Sequence, residues 1–78
     1  MKTVRIVIRS TTSRVPFRAG SYSALLEDEE DYAILAGPTR QYDTWTEAAR
    51  AGLKLADRRG YLVANRVLIE RKIASEPR

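Results

Sequence analysis

The side chains able to do covalent chemistry are few, and none has the partner that would activate it. Hydroxyls gather at Ser10, Thr11, Thr12 and Ser13, with Ser21 and Ser23 farther on. A hydroxyl attacks a carbonyl or phosphoryl centre only when a neighbouring base takes its proton. The 78-residue chain has no histidine to serve as that base, and no cysteine to serve as a thiolate nucleophile. Lys2, Lys54 and Lys72 fall at strand or helix positions that read as solvated, where nothing favours a neutral, nucleophilic amine. Five carboxylates stand together at Glu27, Asp28, Glu29, Glu30 and Asp31. Paired carboxylates run acid–base chemistry when their environments differ. This run reads as one uniformly exposed turn, so nothing sets one member apart. It also lacks the alternating Asp/Asn pattern and central glycine of a calcium loop. Without Cys or His, a zinc site would need carboxylates alone. The expectation is a non-enzymatic protein with no catalytic residue, no metal and no cofactor.

What the charges can do is recognise other charges. They are sorted into blocks. Residues 1–20 carry Lys2, Arg5, Arg9, Arg14 and Arg18 and no acid; residues 21–36 carry the five acids and no base. The formal net charge is +4 and the pI about 9.9. Closely spaced carboxylates on a protruding turn can stand in for phosphates and enter a groove lined by Lys and Arg, with charge complementarity speeding encounter. Glu27, Asp28, Glu29, Glu30 and Asp31 are therefore the first candidates for binding a partner. The second set is basic and would track a phosphate backbone.

Those residues need elements to hold them. Val4, Ile6 and Ile8 alternate with Arg5, Val7 and Arg9, the pattern of a half-buried strand. Ser10 to Gly20 reads as a loop that exposes Arg14 and Arg18. Ser21–Leu26 and Tyr32–Ala36 read as a hairpin, with Tyr22, Ala24 and Leu26 alternating on one strand and Tyr32, Ile34 and Ala36 on the other. The acids form its solvated tip. Thr44-Trp45-Thr46-Glu47 fits a capping box. The helix it opens runs to about Arg59, with Gly60 ending it in the left-handed conformation. Trp45, Ala48, Ala49, Gly52 and Ala56 fall on its buried face, a small-residue stripe that lets the axis approach a sheet; Glu47, Arg50, Lys54, Asp57 and Arg58 fall on the other.

Val63–Ile73 reads as a last strand, with Arg66, Leu68, Glu70 and Lys72 on one side. If the first and last strands are neighbours, Arg5, Val7, Arg9, Arg66, Leu68 and Lys72 share the sheet face away from the helix. That face, with Arg14 and Arg18 beside it, would suit nucleic acid, a protein or a second copy. It lacks the stacking rings of an RNA-recognition sheet. The order is β-β-β-α-β: α+β class, one antiparallel-type sheet of about four strands with one helix on one face.

The length implies a single domain over residues 1–78, with a thin core because a chain this short buries only about 60% of its unfolded surface. No apolar run is long enough to span a bilayer, and the N-terminus has no signal-peptide core, so a cytoplasmic protein is expected, monomeric or homodimeric.

The layout resembles small accessory proteins of phages and other mobile elements. These are Cys-free, built from a few strands and one Ala-rich helix, and end in a V-x-I-E-R-like strand, here Val67-Leu68-Ile69-Glu70-Arg71. Stretches such as Leu35-Ala36-Gly37-Pro38 and Thr44-Trp45-Thr46-Glu47-Ala48-Ala49 are common in small α/β proteins and specify no activity. Within that population the chain looks most like the short anti-CRISPR proteins that act on type I systems, over residues 3–73. The resemblance lies in size, composition and element order and carries over no functional residue. It implies a bacterial-host inhibitor that binds a Cas effector subunit and blocks engagement of target DNA. The chain departs from the strongly acidic DNA mimics by being net basic, so any mimicry would be local to Glu27–Asp31.

Overall fold

The computed structural model describes residues 2–11 and 21–75. Six elements follow in order: β1 (Thr3–Thr11), β2 (Ser21–Asp28), β3 (Ile34–Ala36), α1 (Trp45–Arg59), β4 (Leu62–Val63) and α2 (Arg66–Ser75). The strands form one mixed sheet in the order β3-β2-β1-β4. β2 is antiparallel to both β1 and β3, whereas β4 runs parallel to β1. The class is α+β with four strands, as the alternation and the capping box indicate. Arg14 and Arg18 lie outside the described residues.

The inner face follows the period of two. Val4 and Ile6 of β1 and Ala24 and Leu26 of β2 are almost fully buried, with Ile6 opposite Leu26 in the register. α1 lies across this face through Ala48, Ala49, Gly52 and Ala56, all buried. The close approach is tightest at Gly52, where a β-carbon would stand 2.9 Å from Ile6 Cγ2 and 3.0 Å from Ala24 Cβ. Thr44 caps the helix by accepting a hydrogen bond from the Glu47 amide at 3.2 Å, and Gly60 closes it at φ 72°.

β3 is shorter than the hairpin pattern suggests. A bulge between Leu26 and Glu27 shifts the pairing, so that Ala36 faces the core while Ile34 pairs with Glu27 and is 56% exposed. Tyr32, expected to alternate in phase with Ala36, lies in the turn at φ 62° and is 63% exposed.

The strand expected over Val63–Ile73 is not formed. β4 ends at Val63, and Arg66–Ser75 is helical. The reason lies in Asn65. Its side-chain oxygen accepts the Ile6 amide at 3.1 Å and its Nδ2 donates to the Ile6 carbonyl at 3.0 Å. One carboxamide thus replaces the next residue of a strand along β1 and frees the main chain to turn. The Asn65 carbonyl then accepts the Ile69 amide, starting α2. Ile69 and Ile73, four apart, pack toward the core, and Arg66 reaches Glu70 across one turn. Lys72 Nζ sits 4.4 Å from the centroid of the Trp45 ring, tying α2 to the first turn of α1.

Candidate functional site

Two charged regions emerge, and neither matches its sequence outline residue for residue. The acidic region is a turn over 29–32 between β2 and β3. The Asp28 amide donates to the Ala33 carbonyl at 2.7 Å, and the Tyr32 amide to the Asp28 carbonyl at 3.0 Å. Glu29, Glu30 and Asp31 are exposed at the tip, and Glu27 lies on the outer face opposite Arg5. Asp31 is held by its own loop, its carboxylate accepting the Ala33 amide at 3.0 Å.

Asp28 is the exception and corrects the reading of five equivalent, solvated acids. It follows Ala24 and Leu26 in the inward phase of β2 and is 5% exposed. Its two carboxylate oxygens divide the work: Oδ2 pairs with Lys2 Nζ, and Oδ1 accepts the Glu30 amide at 2.8 Å. Asp28 is therefore an anchor beneath the tip and no part of its contact surface. Because Lys2 donates to it, with help from the Glu30 amide, its carboxyl titrates below the ordinary carboxylate range. The same hydrogen bond, with the attraction of the Asp28 charge, raises the Lys2 ammonium.

Linkage gives these shifts a sign. A depressed carboxyl adds stability above its unfolded pKa of about 3.9, and that contribution is lost as pH falls through the lower folded value. A raised ammonium adds stability below its unfolded pKa of about 10.4, lost as pH rises through the higher folded value. The pair's contribution is therefore flat from weakly acid to weakly alkaline pH. The melting-temperature gap between wild type and Asp28→Asn should narrow as pH falls below about 4. A gap that stays constant to strongly acid pH would show that the ion pair does not anchor the turn.

The basic sheet face is dismantled. Arg5, Val7 and Arg9 do lie on the outer face of β1, opposite Glu27, Leu25 and Ser23. Arg66, Leu68 and Lys72 are on α2 and not on the sheet. Arg66 bonds Asp57 at 2.6 Å and Glu70 at 3.5 Å, Lys72 covers Trp45, and Leu68 is 68% exposed. The sequence placed these residues correctly as surface groups, but on the wrong element.

A second basic region was missed. Thr39 is clamped to the free side of β2, its amide donating to the Ala24 carbonyl at 2.8 Å and its Oγ1 accepting the Ala24 amide at 3.0 Å. Tyr42 and Tyr22 exchange backbone hydrogen bonds at 2.7 and 2.8 Å. This segment forms one wall of a trough whose other wall is the outer flank of α1, with Arg50, Lys54 and Arg58 along it. The four-residue spacing of those cations was visible in the sequence; the wall opposite was not.

Among the described residues, no cluster of three or more potential metal ligands converges. No helix among them is long and apolar enough to cross a membrane. Compared with known proteins, the chain matches no family model, no curated protein and no solved structure.

Proposed function

We propose that this α+β protein is a non-enzymatic interaction protein that binds and blocks a nucleic-acid-binding complex. The resemblance to type I anti-CRISPR proteins points to a Cas effector subunit in the bacterial cytoplasm as the target. The observation that carries the reading is the construction of the acidic tip. Three exposed carboxylates, Glu29, Glu30 and Asp31, stand on a turn fastened from beneath by Asp28 and Lys2, and a fourth, Glu27, lies beside it on the outer face of β2. Among the described residues none of the four is in an ion pair. Preorganised charge loses little conformational freedom on binding and suits a Lys/Arg groove that otherwise holds phosphates. Exposed Tyr32 and Ile34 flank the same turn and supply the apolar contact that a protein partner would bury.

The test is to neutralise the tip and spare its anchor. The variant Glu27→Gln, Glu29→Gln, Glu30→Gln, Asp31→Asn should melt within about 0.5 kcal/mol of wild type, as surface changes do. It should lose about tenfold or more in competition against DNA binding by a type I effector, most strongly at low salt. Undiminished competition by the neutralised variant would remove the tip as the contact surface.

A further inference from the structure

The trough beside α1 holds a charge arrangement that the acidic tip does not use. Two adjoining concavities of about 330 and 370 Å³ share Tyr42, Ala51 and Lys54. Among the described residues four cations line them, Arg40, Arg50, Lys54 and Arg58, against a single carboxylate, Glu47. All four are exposed, and none forms an ion pair among the described residues. By contrast, Arg66 and Lys2 are each paired with a carboxylate. Four like charges gathered with one counter-charge repel one another, so the cluster gains when an anion enters.

The geometry is linear. Arg50, Lys54 and Arg58 recur every four residues, a rise of about 6 Å per step along the helix. That is of the order of the spacing between successive phosphates in an extended nucleotide chain. At one end Arg40 lies 4.9 Å from the centroid of the Tyr42 ring, so a planar cation and an aromatic surface stand together. Tyr42 is fixed by its backbone pairing with Tyr22, and Thr39 by its pairing with Ala24, so this wall is built on the sheet. About 20 Å of β2 separates Tyr22 from Asp28 at the base of the acidic tip. Screening at physiological salt acts over about 8 Å, so the tip does not neutralise the Arg40–Tyr42 end.

We infer that this trough binds the phosphodiester backbone of a single-stranded nucleic acid, with Arg50, Lys54 and Arg58 tracking phosphates and Arg40 with Tyr42 offering a surface on which a base stacks. A row of cations beside an aromatic platform is how sequence-tolerant single-strand sites are built. A duplex presents two backbones on a wide cylinder, which a trough with one cationic wall and one stacking ring fits less well. The site is distinct from the acidic tip and does not depend on it.

The experiment is fluorescence anisotropy with a labelled oligothymidylate of about 15 nucleotides, at about 50 and 200 mM salt. Binding should weaken with salt at a log–log slope of about −2, about 0.7 for each of three phosphates. Arg50→Gln/Lys54→Gln should weaken binding about tenfold or more and lower the slope by about 1.4. Arg5→Gln/Arg9→Gln on the sheet face and the neutralised tip variant should bind as wild type, which separates this site's failure from that of the inhibitor reading. Amide shifts on titrating unlabelled oligonucleotide into wild-type protein should centre on Arg40, Tyr42 and the flank of α1, a readout independent of any variant. Absence of binding at the lower salt overturns the inference. So does tighter binding to a 15-base-pair duplex, equal binding to polyglutamate with the same variant dependence, or loss through the sheet-face variant. Self-association abolished by Arg50→Gln/Lys54→Gln would assign the trough to a second copy's acidic tip instead and equally overturn it.

Discussion

Gly52→Val is expected to lower stability by about 3 kcal/mol or more, a large share of the total for a domain of this size. A first added carbon at Gly52 would already stand 2.9 Å from Ile6 Cγ2 and 3.0 Å from Ala24 Cβ. Both neighbours are buried, and Ala24 has no further torsion with which to move its methyl aside. Valine adds two more methyls to that crowding and fixes its rotamer within the helix. The only relief is to lift α1 away from β1 and β2, which opens voids around Ala49 and Ala56. Gly52→Ala separates the opposing effects. It gains about 1 kcal/mol of helix propensity and still meets the first clash, so a smaller net loss is expected. Urea unfolding of the three proteins measures the series. Valine melting with wild type would mean that the helix axis sits farther from the sheet.

Asn65→Ala should cost about 2–3 kcal/mol, because it strips a donor and an acceptor from the Ile6 peptide at once. The loss is not one of bulk. Asn65→Asp keeps the shape and the acceptor for the Ile6 amide, yet loses the donor and sets a carboxylate against the Ile6 carbonyl. That variant should be destabilised at neutral pH and recover in acid, where a protonated carboxyl donates again. Thermal melts of both variants at two pH values check this. Melting of Asn65→Asp without pH dependence would show that the carboxamide is not the link that holds the end of β4 to β1.

Much of this architecture was legible because it depends on neighbours in sequence. The alternation of Val4, Ile6 and Ile8 defines β1, Thr44 and Gly60 mark the ends of α1, and the stripe from Ala48 to Ala56 foretells a close-packed helix. What escaped depends on partners far along the chain. Val67-Leu68-Ile69 is an apolar, partly β-branched run of the kind a strand carries, and only the bond from Asn65 to Ile6 decides that the chain leaves the sheet first. The helical signal was present in Ile69 with Ile73 and in Arg66 with Glu70, but it competed with a β-like run. Asp28 was masked by its acidic neighbours, although Ala24, Leu26 and Asp28 share one phase of the strand. The trough needed the pairing of Tyr42 with Tyr22 before Arg40 could be placed opposite α1.

The cation over Trp45 makes the molecule its own optical probe. Trp45 is the only tryptophan, and it sits at the seam where Lys72 of α2 meets the start of α1. If α2 swings away, the indole loses its cover and its emission moves to longer wavelength, while Tyr22 and Tyr42 on the β2 side keep their surroundings. The tryptophan emission of this chain therefore reports on the seam between α2 and α1. Detachment of the last helix can be timed separately from melting of the sheet, without attaching a dye.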